Sequence, residues 1–404
     1  MTRGTVACTI AASFLALSAH AQAPPTLTLN DAVTRALEAN RTILAARTAR
    51  AIGLAEIQAA GQRPNPDVSV EAERETPHWA FGGSVPLEIS GKRQRRIDVA
   101  QAGLAVSDAE TARTATDVRS DVRRAYYQAV ASVRRVEVAQ ELETIATRAR
   151  DAAQERFQTG AAPRLEALQS QLTLAQAQNE TASARGALAA ARVELNALLA
   201  YPADAAPVLN DPLEAGPLPT PQDATALALA GNGELQVLQK QIDENRARVA
   251  LARAMRRPDP SVTGTFVYDN KPEFTYGWRL GAAIAIPVFT TGRADVAVAE
   301  ATLNRTIADR EARLAQITGS VSAAVARAAA ARQAVQRYET EILPASLQVE
   351  QMADESYRAG QTGLPALLQT VQAARQIRLN ALQAGLDYQM AIADLERAIG
   401  APLK

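Results

Sequence analysis

Few residues of this 404-residue chain could do metal or nucleophilic chemistry. It has one cysteine, Cys8, and two histidines, His20 and His78. Cys8 and His20 fall in the first twenty-one residues, which leaves His78 alone in the rest of the chain. No cysteine or histidine cluster has metal-ligand spacing, and no nucleophile–base set or phosphate loop is present. The sequence therefore predicts no enzyme, no cofactor and no resident metal. His78 reads as an ordinary polar residue beside a turn. The 43 basic and 43 acidic residues cancel, so no long-range field recruits nucleic acid. Two charged sets stand out. Lys92, Arg93, Arg95 and Arg96 begin a helix, where the macrodipole disfavours cations. Phosphate head groups at the inner face of a membrane would explain them. Asp354 and Glu355 precede a glycine turn.

These residues must be positioned by an unusual pair of elements. Between Arg257 and Arg293 two runs alternate with a period of two, the signature of strands. Val262, Gly264, Phe266 and Tyr268 share one face; Tyr276, Trp278, Leu280, Ala282, Ile284, Ile286 and Val288 share another. The break at 269–272 carries turn chemistry. The same unit occurs about two hundred residues earlier. There Arg63-Pro64-Asn65-Pro66 matches Arg257-Pro258-Asp259-Pro260, and Val68, Val70, Ala72 and then Phe81, Gly83, Val85, Leu87, Ile89 alternate. Trp79, Phe81, Phe266, Tyr268, Tyr276 and Trp278 lie in these hairpins, where aromatics suit a membrane interface. Their alternate positions are glycine, serine, glutamate and arginine, which suit water.

Met1 to Ala21 reads as a secretory signal: Arg3, an apolar core from Val6 to Leu17, and Ala19-His20-Ala21 as cleavage site. Cys8 lies inside that segment and not at the cleavage point, so no lipid anchor is expected. The rest reads as helix. A first repeat spans 22–200: a helix capped by Asn30 or Asp31 and running to about Gln62, the hairpin at about 64–90, a long helix at about 92–159, and a helix at about 164–200. A proline-rich linker, 201–221, belongs at mid-height. The second repeat, 222–404, has one helix to about Arg256, the hairpin at about 258–289, a long helix at about 293–359 and a helix at about 364–399. At about 1.5 Å per residue the long helix of the first repeat is a rod of roughly 100 Å. Each long helix has two short ones stacked end to end beside it. Four strands with an apolar outer face cannot close a membrane barrel, so closure demands several chains.

The duplicated order resembles the TolC-type outer membrane factor family over the whole chain after the signal. The resemblance rests on the opening Leu27-Thr28-Leu29-Asn30-Asp31-Ala32, the Arg-Pro-Asn-Pro and Arg-Pro-Asp-Pro lead-ins, and the tips Phe157-Gln-Thr-Gly160 with Leu168 and Tyr357-Arg-Ala-Gly360 with Leu368. It implies a mainly helical protein with a small β part. It implies a homotrimer whose twelve-stranded barrel sits in the outer membrane of a Gram-negative bacterium, on a helical tunnel across the periplasm. The partners implied are outer-membrane lipid, a periplasmic adaptor docking at Phe157, Gly160, Leu168, Tyr357, Gly360 and Leu368, and an inner-membrane pump of the RND type. Val85-Pro-Leu-Glu-Ile-Ser-Gly-Lys-Arg93 looks most like the cobalt–zinc–cadmium resistance branch, which implies a passive exit duct for heavy-metal cations. One departure concerns the gate. The family's type member closes its end with aspartates after the second tip, whereas Leu364-Pro-Ala-Leu-Leu-Gln369 has no acid. Asp354, Glu355 and Gln369 are the gate candidates instead. Two other readings compete: a duct for organic compounds or secreted protein, and a soluble periplasmic coiled-coil adaptor.

Overall fold

The structure is a computed structural model that describes residues 26–403 except 272, 273 and 360. The signal reading and Gly360 lie outside these residues. In chain order the elements are β1 (Thr26–Leu27), α1 (Leu29–Ala39), α2 (Arg41–Ala60), β2 (Asp67–Ala72), β3 (Trp79–Pro86), α3 (Lys92–Gln158) and α4 (Arg164–Leu199). Then come β4 (Val208–Leu209), α5 (Pro221–Gly231), α6 (Gly233–Met255), β5 (Pro260–Lys271) and β6 (Phe274–Ile284). The chain ends with α7 (Arg293–Arg337), a π turn (Tyr338–Ile342), α8 (Leu343–Arg358) and α9 (Leu364–Ile399). The fold is mainly α with a small β part, built as two repeats of antiparallel helices, each carrying a hairpin. No helix among the described residues is long and apolar enough to cross a membrane.

Length matching organises the helices. α1, α2 and α4 together equal the 67 residues of α3, so two short helices and one more lie along it end to end. Gly91 and Gly292 open α3 and α7 at φ of 70° and 66°, in the left-handed region that glycine enters without penalty. The apolar core sits at mid-height. Val122, Tyr126 and Val130 of α3 meet Ala32 and Ala36 of α1, Leu195 and Leu199 of α4, and Leu209 of the linker. In the second repeat Ile317, Val321, Ala324 and Ala328 of α7 meet Ile392, Leu395 and Ile399 of α9. The linker crosses this belt. β4 pairs in parallel with β1, Asp211 Oδ2 accepts from Leu29 N at 2.8 Å, and Tyr388 and Gln389 donate to the carbonyls of Gly216 and Glu214.

Three helical expectations need correction. α1 is capped by Thr28, whose hydroxyl accepts from Asp31 N while the Asp31 carboxylate receives Thr28 N, and not by Asn30 or Asp31. The helix expected to run on to Gln62 breaks at Asn40, and its counterpart to Arg256 breaks at Asn232. Each asparagine caps the helix after it and reaches across to a neighbouring helix end: Asn40 Nδ2 donates to Leu198 O at 2.9 Å, Asn232 Nδ2 to Ala398 O at 2.8 Å. The long helix at 293–359 is interrupted. Pro344 has no N–H, and its ring would collide with the Thr340 carbonyl in regular α geometry. The π turn at Tyr338–Ile342 widens the ladder just there, with Leu343 N bonded to Tyr338 O.

The two hairpins form one antiparallel sheet, in the order β2-β3-β5-β6. Strands distant in sequence thus pair at its centre, while β2 and β6 are left as edges.

Candidate functional site

The register of the sheet sorts its residues into two faces. One face carries the rows Val70–Phe81–Phe266–Trp278, Ala72–Trp79–Tyr268–Tyr276 and Val68–Gly83–Gly264–Leu280. All the large apolar side chains in these rows are exposed, Trp278 to 79%. The other face carries Ser69–Gly82–Thr265–Arg279 and Asp67–Ser84–Thr263–Gly281. It is polar and closely fitted: a Cβ at Gly82 would collide with Ser69 Oγ. An exposed aromatic face this large costs water contact unless something apolar covers it. The expected alternation is present where the strands run, and the six aromatics share the apolar face, but β3 ends at Pro86 and β6 at Ile284, so Leu87, Ile89, Ile286 and Val288 lie beyond the strands. Phe266 and Tyr276 stack across β5 and β6 at 6.4 Å. His78 does not stand alone, since its Nδ1 lies 2.8 Å from Asp269 Oδ2 and so fastens one hairpin tip to the other.

The basic cluster under the sheet proves more structural than expected. Lys92 is only 6% exposed and its ammonium donates to Asp259 Oδ2 at 2.7 Å. That aspartate belongs to the Arg-Pro-Asp-Pro lead-in, so the pair ties the second hairpin to the first long helix. Arg96 is ion-paired with Glu88 and donates to the carbonyls of Gln62 and Ala60. The guanidinium beside Glu88 holds its carboxyl below the usual glutamate range, against the opposing effect of burial. Arg93 Nε donates to Gly61 O, and Arg95 pairs with Asp98. A reading of all four as free headgroup ligands is thereby corrected. Lys92 and Arg96 are engaged within the chain, and the exposed cations are Arg93 and Arg95. A carboxylate in the proline motif, opposite a basic run, was the available signal.

At mid-height the walls are laced by ion pairs between α3 and α9. Arg123 donates to Glu396 at 3.0 Å and to Gln389 at 2.9 Å, Arg124 pairs with Asp394, and Arg397 pairs with Asp117. Tyr126 donates its hydroxyl to Leu27 O at 2.7 Å, and burial followed by the charge of Asp211 pushes its pKa up. None of these was singled out from sequence, because each partner lies on a distant helix.

The far end holds the two helical tips, and they differ. Phe157 and Leu168 of the first are exposed to 38% and 51%. Gly160, at φ of 77°, ends α3 with nothing within 4 Å of its would-be Cβ. At the second tip Tyr357 and Leu368 are half-buried. They line a groove of about 490 Å³ between α3, α8 and α9, with Asp354, Arg148 and Val371. Of the gate candidates, Asp354 lies in that groove while Glu355 and Gln369 face solvent. No group of three or more metal-ligating side chains occurs among the described residues.

Known proteins share this arrangement. The family described as "Outer membrane efflux protein" matches residues 32–200 and 225–401, one match in each repeat. The cobalt-zinc-cadmium resistance protein CzcC of Cupriavidus metallidurans is 24% identical over 341 residues, which cover 83% of this chain and 81% of CzcC. The CmeC outer membrane channel of Campylobacter jejuni superposes with a TM-score of 0.76 at 16% identity, covering 92% of this chain and 85% of CmeC. The MtrE outer membrane channel of Neisseria gonorrhoeae, in its open state, gives 0.74 at 19% identity over 93% and 89% of the two chains. With an apolar-faced sheet at one end, paired helical tips at the other and a family match over both repeats, the chain belongs to the outer membrane efflux protein family.

Proposed function

We infer that three copies close their sheets into a twelve-stranded barrel in the outer membrane, and that the helices continue it as a tunnel through the periplasm. The particle is a passive exit duct, without enzymatic activity, that receives cargo from an inner-membrane pump of the RND type through a periplasmic adaptor. One observation carries this reading. The sheet has an apolar outer face, a polar inner face and two unpaired edges, and lipid tolerates no open edge. A soluble coiled-coil adaptor would have no use for such a sheet. Similarity to CzcC favours heavy-metal cations as cargo over organic compounds or protein. Phe157, Gly160 and Leu168, with Tyr357, Gly360 and Leu368, form the ring of tips that meets the adaptor, and Asp354, Glu355 and Gln369 are its gate residues. Arg93 and Arg95 face the inner-leaflet phosphates.

Two measurements test this. Membrane extraction should yield protein only in detergent, with a particle mass of three chains. A monodisperse monomer in plain buffer would overturn the reading. Deletion of the gene should sensitise cells to cobalt, zinc or cadmium. Sensitivity confined to organic compounds would keep the duct and replace the cargo.

A further inference from the structure

The two edge strands carry opposite charge on the polar face. Arg279 is the only charged residue of β6. It is exposed and forms no ion pair with a described residue of its own chain. Gly277 and Gly281 flank it on the same face and leave it no side-chain neighbour along the strand. On β2 that face carries Glu71, Glu73 continues it by one residue, and Glu75 follows in the bend beyond, all exposed. Glu73 N still donates to His78 O at 2.9 Å, so the ladder runs one residue past Ala72.

The hand of the sheet decides how these edges meet. Odd-numbered residues of β2 turn their peptide groups toward β3 and their side chains to the polar face. For L-residues, seen from the apolar face with the hairpin tips up, this puts β3 to the left of β2 and β6 at the left end. Strands of a closed barrel lean to the right as they rise, so a row of cross-strand pairs climbs as it moves left. Arg279 shares its row with Ser69 of the same chain. Four strand spacings of about 4.8 Å at a tilt of about 40° raise that row by roughly 16 Å, or about five residues, on reaching the next copy. Polar faces must stay aligned, so the shift is even, about four or six. Counted from Ser69, that is Glu73 or Glu75.

We propose that β6 of each chain pairs with β2 of a second copy so that Arg279 meets Glu73 or Glu75 of that copy, and that three such clasps inside the lumen set the register of the barrel. This rests on the three-copy reading above. It adds which edge meets which, at what offset, and by what charge pair.

The chain has no cysteine after Cys8, so introduced thiols report cleanly. Arg279→Cys combined with Glu73→Cys or with Glu75→Cys should give oxidised dimers and trimers on a non-reducing gel. Arg279→Cys with Ser69→Cys, the unshifted register, should give none. Arg279→Glu should lower the heat-resistant oligomer by roughly tenfold through like-charge contact at each seam, and Glu73→Arg with Glu75→Arg should restore it. A wild type of three chains whose cysteine variants cross-link at Ser69, or at neither glutamate, overturns the clasp and leaves the duct intact. A monomeric wild type overturns both.

Discussion

Asn232 offers a perturbation whose sign is diagnostic. Its Oδ1 accepts from Glu234 N at 3.0 Å and Leu235 N at 3.2 Å, capping α6, while its Nδ2 donates to Ala398 O at 2.8 Å in the last turn of α9. The residue is buried, and so is the carbonyl's environment at the end of the second core cluster. At an ordinary N-cap, Asn→Asp is neutral. Here it keeps the cap but points an acceptor at another acceptor. The lost bond and the unsatisfied carbonyl cost about 1–3 kcal/mol, and the carboxylate's attraction to the helix N-terminus returns about 0.5 kcal/mol. Asn232→Ala loses the cap as well, about 1 kcal/mol more. The expected order of stability is wild type, then Asn232→Asp, then Asn232→Ala, with gaps of about 1 to 2 kcal/mol read from urea midpoints of the detergent-solubilised protein. Thr220→Ser, at the exposed cap of α5, should change little. If Asn232→Asp proved as stable as wild type, the bond across to Ala398 would contribute nothing, and the account of the broken helices would fall with it.

Four further outcomes are expected. Gly400→Ala should destabilise by about 2 kcal/mol or more, since φ is 85° and the new Cβ would meet Gly231 O at 2.5 Å; equal urea midpoints would refute this. Glu88 is depressed by Arg96, so its contribution is present above the ordinary glutamate range and lost as pH falls through its lowered value; wild type should lose stability in acid below about pH 4 more steeply than Glu88→Gln. Leu168→Asp, at an exposed position, should leave stability within about 0.5 kcal/mol but abolish cross-linking to the adaptor and resistance in cells. Calorimetry of the purified protein with zinc or copper should show no tight stoichiometric site, because thiols and paired imidazoles are missing from its sequence after residue 21.

The parts legible from sequence were those written with a period. Alternation in the hairpins placed Phe81, Phe266 and Trp278 on one face, where the register of the sheet has them. What stayed hidden was non-periodic or distant. Asn40 and Asn232 interrupt helices whose flanks are good helix formers, and only the opposing carbonyls of Leu198 and Ala398 make the break favourable. Pro344 is the one local signal for the π turn, and the reading of one long helix over 293–359 passed over it. Lys92 looked like a surface cation because helix starts are commonly wet. Its burial depends on Asp259, 167 residues away.

These hidden contacts have a common location, which bears on how the duct is built. Lys92–Asp259 joins the repeats under the sheet, and His78 with Asp269 joins them at its tips. Between these contacts β3 and β5 join the repeats along eight paired residues. At mid-height Arg123–Glu396 and Arg397–Asp117 join them again through α3 and α9. Toward the tips the links change character. Arg375 with Glu180 and Arg378 with Glu141 are ion pairs between helix hairpins with little apolar core beside them, only Ala146, Leu174 and Ala177 forming a small cluster. Apolar burial holds one shape, whereas ion pairs whose carboxylates face solvent, as Glu180 and Glu141 do, hold little energy and exchange readily with water. The chain is therefore held most firmly at its paired sheet and its belt, and least firmly at the end where Asp354, Tyr357 and Leu368 line the groove. The duct proposed above would need that gradient: a fixed pore in the membrane and a tip that can change its opening without unfolding the wall above it.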